Sequence, residues 1–334
     1  MRAVLSKRPA GSKLMVVGVL PALGLVVVVA APQLLDTYWL GEVTLTLVYV
    51  VATLGTDIVV GRTGLLSMCQ ASFFGIGAYV AAIGQAHEVN LVAQVALAIG
   101  LAAVAGVVVA VPTLKLSGLR LALVTLLFGM VLEWALDSNI QLTGGSSGMA
   151  VSAASVGGLT TASGIDVYGV SVAVAIAATV AVWQLTRGQF GRRLVTMRDA
   201  PLAATAVGIS VMRGRVLVFI LGAVLCSAGG LLYGYVEGFV SPSDFNLFPS
   251  VYLIVAVLLG GRGSLVGAWL GAGYVVLLPE LFVILGLPNA YPLVGGVVLV
   301  VVTLVLPGGL ASIPARVGSQ LPGRRALPGP TRVQ

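Results

Sequence analysis

The chain has 334 residues, of which 58% are hydrophobic and only 9% charged, and it carries a formal net charge of +7. A soluble domain holds about a quarter charged residues, so lipid rather than water must solvate most of this surface. The basic residues stand singly between apolar runs, with no stripe interleaved with aromatics; that excludes a nucleic-acid interface and reads as membrane topology.

A helix that crosses a bilayer needs about 20 mostly apolar residues. Such runs occupy 14–35, 43–60, 64–86, 91–114, 119–137, 168–185, 215–236, 246–261, 264–286 and 290–307. The expected fold class is all-α, a polytopic membrane protein of about ten transmembrane helices. The run at 64–86 is rich in Gly, Ser and Gln, and the run at 246–261 is short and contains Pro249. The first run follows Arg2, Lys7, Arg8 and Lys13 and is longer than a usual signal-peptide core, so it reads as a signal anchor. The expected organisation is a cytoplasmic segment at 1–13, a transmembrane domain at 14–310 and a cytoplasmic tail at 311–334. That tail is polar, basic and proline-bearing, and is expected to be disordered.

Charge placement tests the span count independently, because short loops bearing Lys and Arg stay in the cytoplasm. With the N-terminus inside, ten crossings put all 18 Lys and Arg residues on one side, from Arg62 through Lys115, Arg120 and the cluster 187–215 to Arg262 and the tail. Asp36, Glu42, Glu88, Asp137, Asp166, Glu237 and Asp244 fall in or beside the opposite loops, and Asp199 is the plainly cytoplasmic acid. Removing one span would reverse the parity and strand arginines outside. Both termini are therefore expected in the cytoplasm.

Two segments echo each other. GRTGLLSMCQASFFGIGAYV starts at Gly61 and GRGSLVGAWLGAGYVV at Gly261. Either the chain holds an internal duplication of helix groups, or small residues at both places simply allow close helix packing.

The inventory for catalysis is nearly empty. There is no glycine-rich phosphate loop ending in Lys-Ser/Thr, no His/Cys/carboxylate cluster at metal spacing, and no nucleophile with a base. Cys69 and Cys226 lie in apolar segments and read as reduced packing thiols, and His87 beside Glu88 reads as a solvated loop residue. Asp57, Glu133 and Glu280 lie within or at the edges of spans, where acids are functional candidates. None has a basic partner at helical spacing on its own helix, which argues against a carrier driven by protons or sodium. No enzymatic activity, metal or cofactor is expected of this chain.

The longest cytoplasmic loop, at 187–214, is the most informative stretch. Asp199 is a good N-cap, Pro201 fits a first helical turn, LAATAV continues it, and Gly208 stops it. A short helix with Ala203, Ala204 and Ala206 suits either an anionic lipid surface or a groove on a partner protein.

RDAPLAATAVGI, at 198–209, resembles the coupling segment of ABC importer permeases, in the version carried by LivM-type subunits of the branched-chain amino acid permeases. In the same order the chain carries GRTGLLSMCQASFFGIGAYVAA at 61–82, GLRLALVTLLFG at 118–129, LTGGSSGM at 142–149 and RGQFGRRL at 187–194. It continues with GFVSPSDFNLFPSVYLIVAVLLGGRGSLVGAWLGA at 238–272, LLPEL at 277–281 and LPGGL at 306–310. The resemblance covers roughly 45–310. It implies a bacterial inner-membrane permease subunit that forms a translocation pathway with a LivH-type permease subunit, served by two cytoplasmic ATP-binding subunits and an extracytoplasmic solute-binding protein. ATP and Mg would sit on the partner subunits, with no cofactor on this chain. The implied ATPase-coupling residues are Arg198, Asp199, Leu202, Ala203, Ala204, Val207 and Gly208, and the pathway candidates are Asp57, Gln70, Phe73, Phe74, Gly75 and Gly77.

This sequence departs from the family pattern at Asp57, where Asn is usual, and at Gln70, where His is usual. It also has Met130 in place of Glu and Glu133 in place of a basic residue. The departures leave the solute open among branched-chain amino acids, urea, short amides and other amino acids. An ion-coupled secondary carrier and a membrane scaffold without transport are the rivals from other classes.

Overall fold

In lipid a backbone must satisfy its own hydrogen bonds, and this chain does so with helices. The computed structural model describes residues 32, 35–114, 116–152, 155–156, 159–160, 164–287, 290–305 and 308–312. Helix α1, Thr37–Thr56, runs on directly into a π-helix, Asp57–Arg62. There follow α2 (Gln70–Ala86), α3 (Leu91–Thr113), α4 (Leu119–Ser138) and the short α5 (Ile140–Thr143). Strands β1 (Met149–Ala150), β2 (Ser155–Val156) and β3 (Leu159–Thr160) lead to α6 (Gly164–Arg187), α7 (Gln189–Asp199), α8 (Pro201–Ala206) and α9 (Val211–Glu237). Strand β4 (Phe239–Val240) precedes α10 (Leu247–Gly260), α11 (Leu265–Ile284) and α12 (Tyr291–Val305).

Among the described residues, 7 helical stretches are long and apolar enough to cross a membrane, running 37–62, 91–113, 119–138, 164–187, 211–237, 242–260 and 265–284. Two further apolar helices are shorter, α2 with 17 residues and α12 with 15. Apart from residues 32 and 35, the expected span at 14–35 lies outside the described residues. The chain is an all-α, multi-pass membrane protein, and ten is an approximate count.

The run read as a span from 64 onward is only partly helical, since α2 begins at Gln70. In the irregular stretch before it Thr63, Leu65, Ser67 and Cys69 are buried in protein, which is where such backbone is tolerated. Side-chain hydroxyls supply partners there and in the first turn of α2: Met68 N–H donates to Thr125 Oγ1 at 2.9 Å and Ala71 N–H to Ser250 Oγ at 2.9 Å.

Helix α9 is the axis of the packing, with α1, α2 and α3 laid against it. Close approach depends on glycine at the crossings. A Cβ on Gly77 of α2 would stand 1.9 Å from the Ser227 carbonyl oxygen, and one on Gly230 would stand 1.7 Å from that of Phe74. Lipid gives no hydrophobic drive for helices to associate, so backbones brought together by small residues gain dispersion contacts instead. The aromatic cluster of Phe74, Tyr233 and Phe245 fills the space around this crossing, with ring centroids 5.2–6.1 Å apart.

Local signals fix the helix ends. Asn90, Ser210, Asn246 and Ser264 cap α3, α9, α10 and α11 by accepting backbone N–H groups. At the other end of α3, the Arg215 guanidinium from α9 donates to the carbonyls of Leu114 at 2.7 Å and Leu116 at 2.9 Å. That places a cation on the negative pole of α3. Strands β1 and β4 pair antiparallel, Met149 opposite Val240, and tie the segment after α4 to the end of α9.

Candidate functional site

The loop between α6 and α9 is built of two helices on a turn. Helix α7 lays Gly191, Leu194 and Met197 against the body of the protein and turns Arg192 and Arg193 outward. Helix α8 then starts at Pro201, with Ala200 rather than Asp199 as its N-cap. Asp199 still belongs to the last turn of α7, and its carboxylate accepts from Arg198 Nε at 3.0 Å instead of capping α8. The stop at Gly208 is as expected: φ is +79°, Ile209 N–H reaches Ala204 O at 2.9 Å, and Gly208 N–H reaches Thr205 O at 3.1 Å. This is a Schellman closure, in which glycine adopts the left-handed conformation without a Cβ penalty.

The closure decides which face of α8 is free. Ala204 is fully buried within this chain, so it is a tether and not the partner contact expected of it. Leu202 and Val207 are 86% and 72% exposed, and Ala203 is exposed with them. Two large aliphatic side chains therefore stand clear of the protein on a loop that is too short and broken to enter lipid as a span.

Behind α8 lies a polar network that sequence reasoning missed. Arg198 Nη1 donates to Gly61 O at 3.0 Å, reaching from the end of α7 to the π-helix at the end of α1. Within that π-helix, Arg62 Nε pairs with Asp57 Oδ2 at 3.1 Å. The other carboxylate oxygen of Asp57 accepts from Gly263 N–H at 2.7 Å, at the turn before α11. Asp57 thus has a basic partner on its own helix, contrary to expectation, because Arg62 is helical and not in a loop. The available signal was the doubled Gly-Arg: the two echoing segments, from Gly61 and Gly261, meet here.

The other two acids near span ends also have defined places. The Glu280 carboxylate accepts the Tyr38 hydroxyl. Glu133 lines a cavity of about 370 Å³ with Trp134, Asp137 and Ser241, at the C-terminal end of α4.

The six expected pathway residues are all buried among the chain's own helices rather than lining open space. Gln70 donates to Ser67 Oγ at 3.3 Å and accepts from Cys226 Sγ at 3.3 Å, which places both cysteine-bearing segments around one amide. Phe73 packs on Phe128, Phe74 on Tyr233, Gly75 faces the Phe245 ring and Gly77 faces the α9 backbone.

Comparison with known proteins identifies the family. The family described as branched-chain amino acid transport system / permease component matches residues 39–304. The high-affinity branched-chain amino acid transport system permease protein LivM of Escherichia coli (strain K12) is 31% identical over 283 residues, covering 77% of this chain and 66% of LivM. LivM of Salmonella typhimurium is 29% identical over 282 residues with the same coverage, 77% and 66%. The chain thus spans a little under two thirds of the length of these relatives. The permease protein LivH of the same E. coli transport system is 24% identical over 290 residues, 81% of this chain and 94% of LivH. No solved structure matches the chain. The match over 39–304 takes in the π-helix, the α7–α8 loop and the helices that carry them, and the chain belongs to the family of branched-chain amino acid transport permease components.

Proposed function

We propose that this chain is the LivM-type permease subunit of an ATP-driven importer, with branched-chain amino acids as its solutes. It forms the translocation pathway with a LivH-type second permease subunit and receives solute from an extracytoplasmic binding protein. Two cytoplasmic ATPases bind and hydrolyse ATP with Mg, and this chain hydrolyses nothing itself. Both termini and the α7–α8 loop lie in the cytoplasm of the bacterial inner membrane. The substrate reading is supported by the names of the LivM and LivH relatives.

The observation that carries the coupling role is the outward pair Leu202 and Val207 on α8, exposed beside buried Ala204. Apolar side chains held out by a closed helix end suit insertion into a groove on a partner. Asp199, exposed at the end of α7, flanks that surface at its rim.

The test is co-purification of the ATPases with the permease pair, and solute-stimulated ATP hydrolysis in proteoliposomes. Leu202→Asp with Val207→Asp buries uncompensated charge in the groove, and the expected result is a loss of ATPase recovery of about tenfold or more. Undiminished recovery and undiminished stimulation would assign α8 to the lipid surface and remove the coupling role.

A further inference from the structure

Two long-range hydrogen bonds tie the end of α7, next to α8, to two membrane helices. The last turn of α7 holds α8 through a single residue, Ala200. Arg198, in that last turn, is fixed at one end by Asp199 and at the other by the Gly61 carbonyl. Gly61 lies in the π-helix whose Asp57 accepts from Arg62 and from Gly263 N–H. Gly263 in turn is one residue before Ser264, which caps α11. The packing at these points is close: a Cβ on Gly61 would stand 1.9 Å from Asp57 Oδ1, and one on Gly64 would stand 3.1 Å from Arg198 Cγ.

The kind of helix matters here. A π-helix is rare and occurs mostly as a short insert within an α-helix, frequently at functional sites. Arg198 takes hold of the Gly61 carbonyl in its last turn. A guanidinium donates in a rigid plane, so movement of the α7 end is transmitted as a directed pull rather than lost in side-chain rotation.

We propose that Arg198 is a positioning residue of a mechanical relay. Displacement of α8 by a bound ATPase passes through Arg198 to the π-helical end of α1, and through Asp57 to Gly263 and the start of α11, so both helices move together. The relay rests on the coupling role proposed for α8. It adds that Arg198 acts behind the docking surface: its loss leaves the ATPases bound but disconnects their cycle from the membrane helices.

The experiment uses the complete complex, with both permeases, the ATPases and the solute-binding protein, reconstituted in proteoliposomes. Two quantities are read together: ATPase recovery on the permease, and solute molecules moved per ATP hydrolysed. Arg198→Met keeps the aliphatic stem over Gly64 and removes the donor. Recovery is expected within about twofold of wild type while solute moved per ATP falls roughly tenfold, the scale of one lost charge-assisted hydrogen bond in a coupled equilibrium. Arg198→Lys, which still offers a donor to Gly61 O, is expected to restore at least about half of the ratio. Arg192→Met, on the outward face of the same helix, is expected to behave as wild type in both readings. An unchanged ratio in Arg198→Met overturns the relay, and so does loss of the ATPases themselves, which would make Arg198 part of the docking surface. If wild-type permease fails to hold the ATPases, the coupling role fails first and the relay with it. That result is distinct from either outcome in the variant.

Discussion

Arg62 Nε lies 3.1 Å from Asp57 Oδ2, five residues back along the chain, and the contact exists because the helix widens to π geometry there. An α-helix with about 3.6 residues per turn points residue i+5 well away from residue i, whereas i→i+5 hydrogen bonding stacks the two. The pairing neutralises a buried carboxylate that would otherwise be costly near the membrane interior. Asp57→Ala leaves Arg62 without its partner and Gly263 N–H without its acceptor. The expected loss is about 3–5 kcal/mol, the range for breaking a buried pair from one side. Asp57→Asn is expected to cost clearly less, since an amide oxygen can still accept from Gly263. Thermal unfolding in detergent, followed by fluorescence-detected size exclusion, reads both. Equal small shifts would show that the pair is not structural.

Gly77 and Gly100 make a matched comparison. A Cβ on Gly77 meets the α9 backbone at 1.9 Å, and one on Gly100, on the outward face of α3, meets nothing within 4 Å. Gly77→Leu is expected to lower stability by at least about 1–3 kcal/mol, the usual cost of overpacking, with the upper end favoured because backbone cannot step aside. Gly100→Leu should be close to neutral. Similar unfolding temperatures for the two variants would contradict the crossing of α2 and α9 described above.

Arg215→Ala removes a guanidinium that donates to Leu114 O and Leu116 O at the end of α3. Charge-assisted hydrogen bonds contribute about 1.5–3 kcal/mol, and a destabilisation of about 2 kcal/mol is expected. The exposed neighbour Arg213→Ala should leave the unfolding temperature nearly unchanged. Arg215→Lys should recover part of the loss, because an ammonium can cap carbonyls but cannot span them as a fork does.

Orientation can be read by labelling. The native thiols of Cys69 and Cys226 are buried and should not react in folded protein. In intact cells an impermeant maleimide is expected to label Ser146→Cys, and to label Thr205→Cys only after the membrane is opened. Both introduced positions are exposed in the fold. Labelling of Thr205→Cys from outside would invert the assigned topology and remove α8 from reach of any ATPase.

Much of this protein is written locally. Apolar runs of span length need only composition to be seen, and they determine an all-α membrane fold. Pro201 at a helix start and Gly208 past its end likewise placed α8, because capping chemistry acts over a few residues. The doubled Gly-Arg segments were visible, though not their meeting.

What the tertiary structure alone decided depends on partners far away in sequence. At the start of α2, Thr125 Oγ1 accepts from Met68 N–H just before the helix and Ser250 Oγ from Ala71 N–H in its first turn. Ala204 turns inward, leaving Leu202 and Val207 as the offered surface, because α7 seats Leu194 and Met197 on the body of the protein. Asp57, Gln70 and Gly77 are buried at close helix contacts, which only the tertiary structure could show. The π-helix has no composition of its own. It is held by contacts from Arg198 and Gly263, more than a hundred residues distant, and a local pattern cannot encode a choice between i→i+4 and i→i+5 bonding that distant groups make.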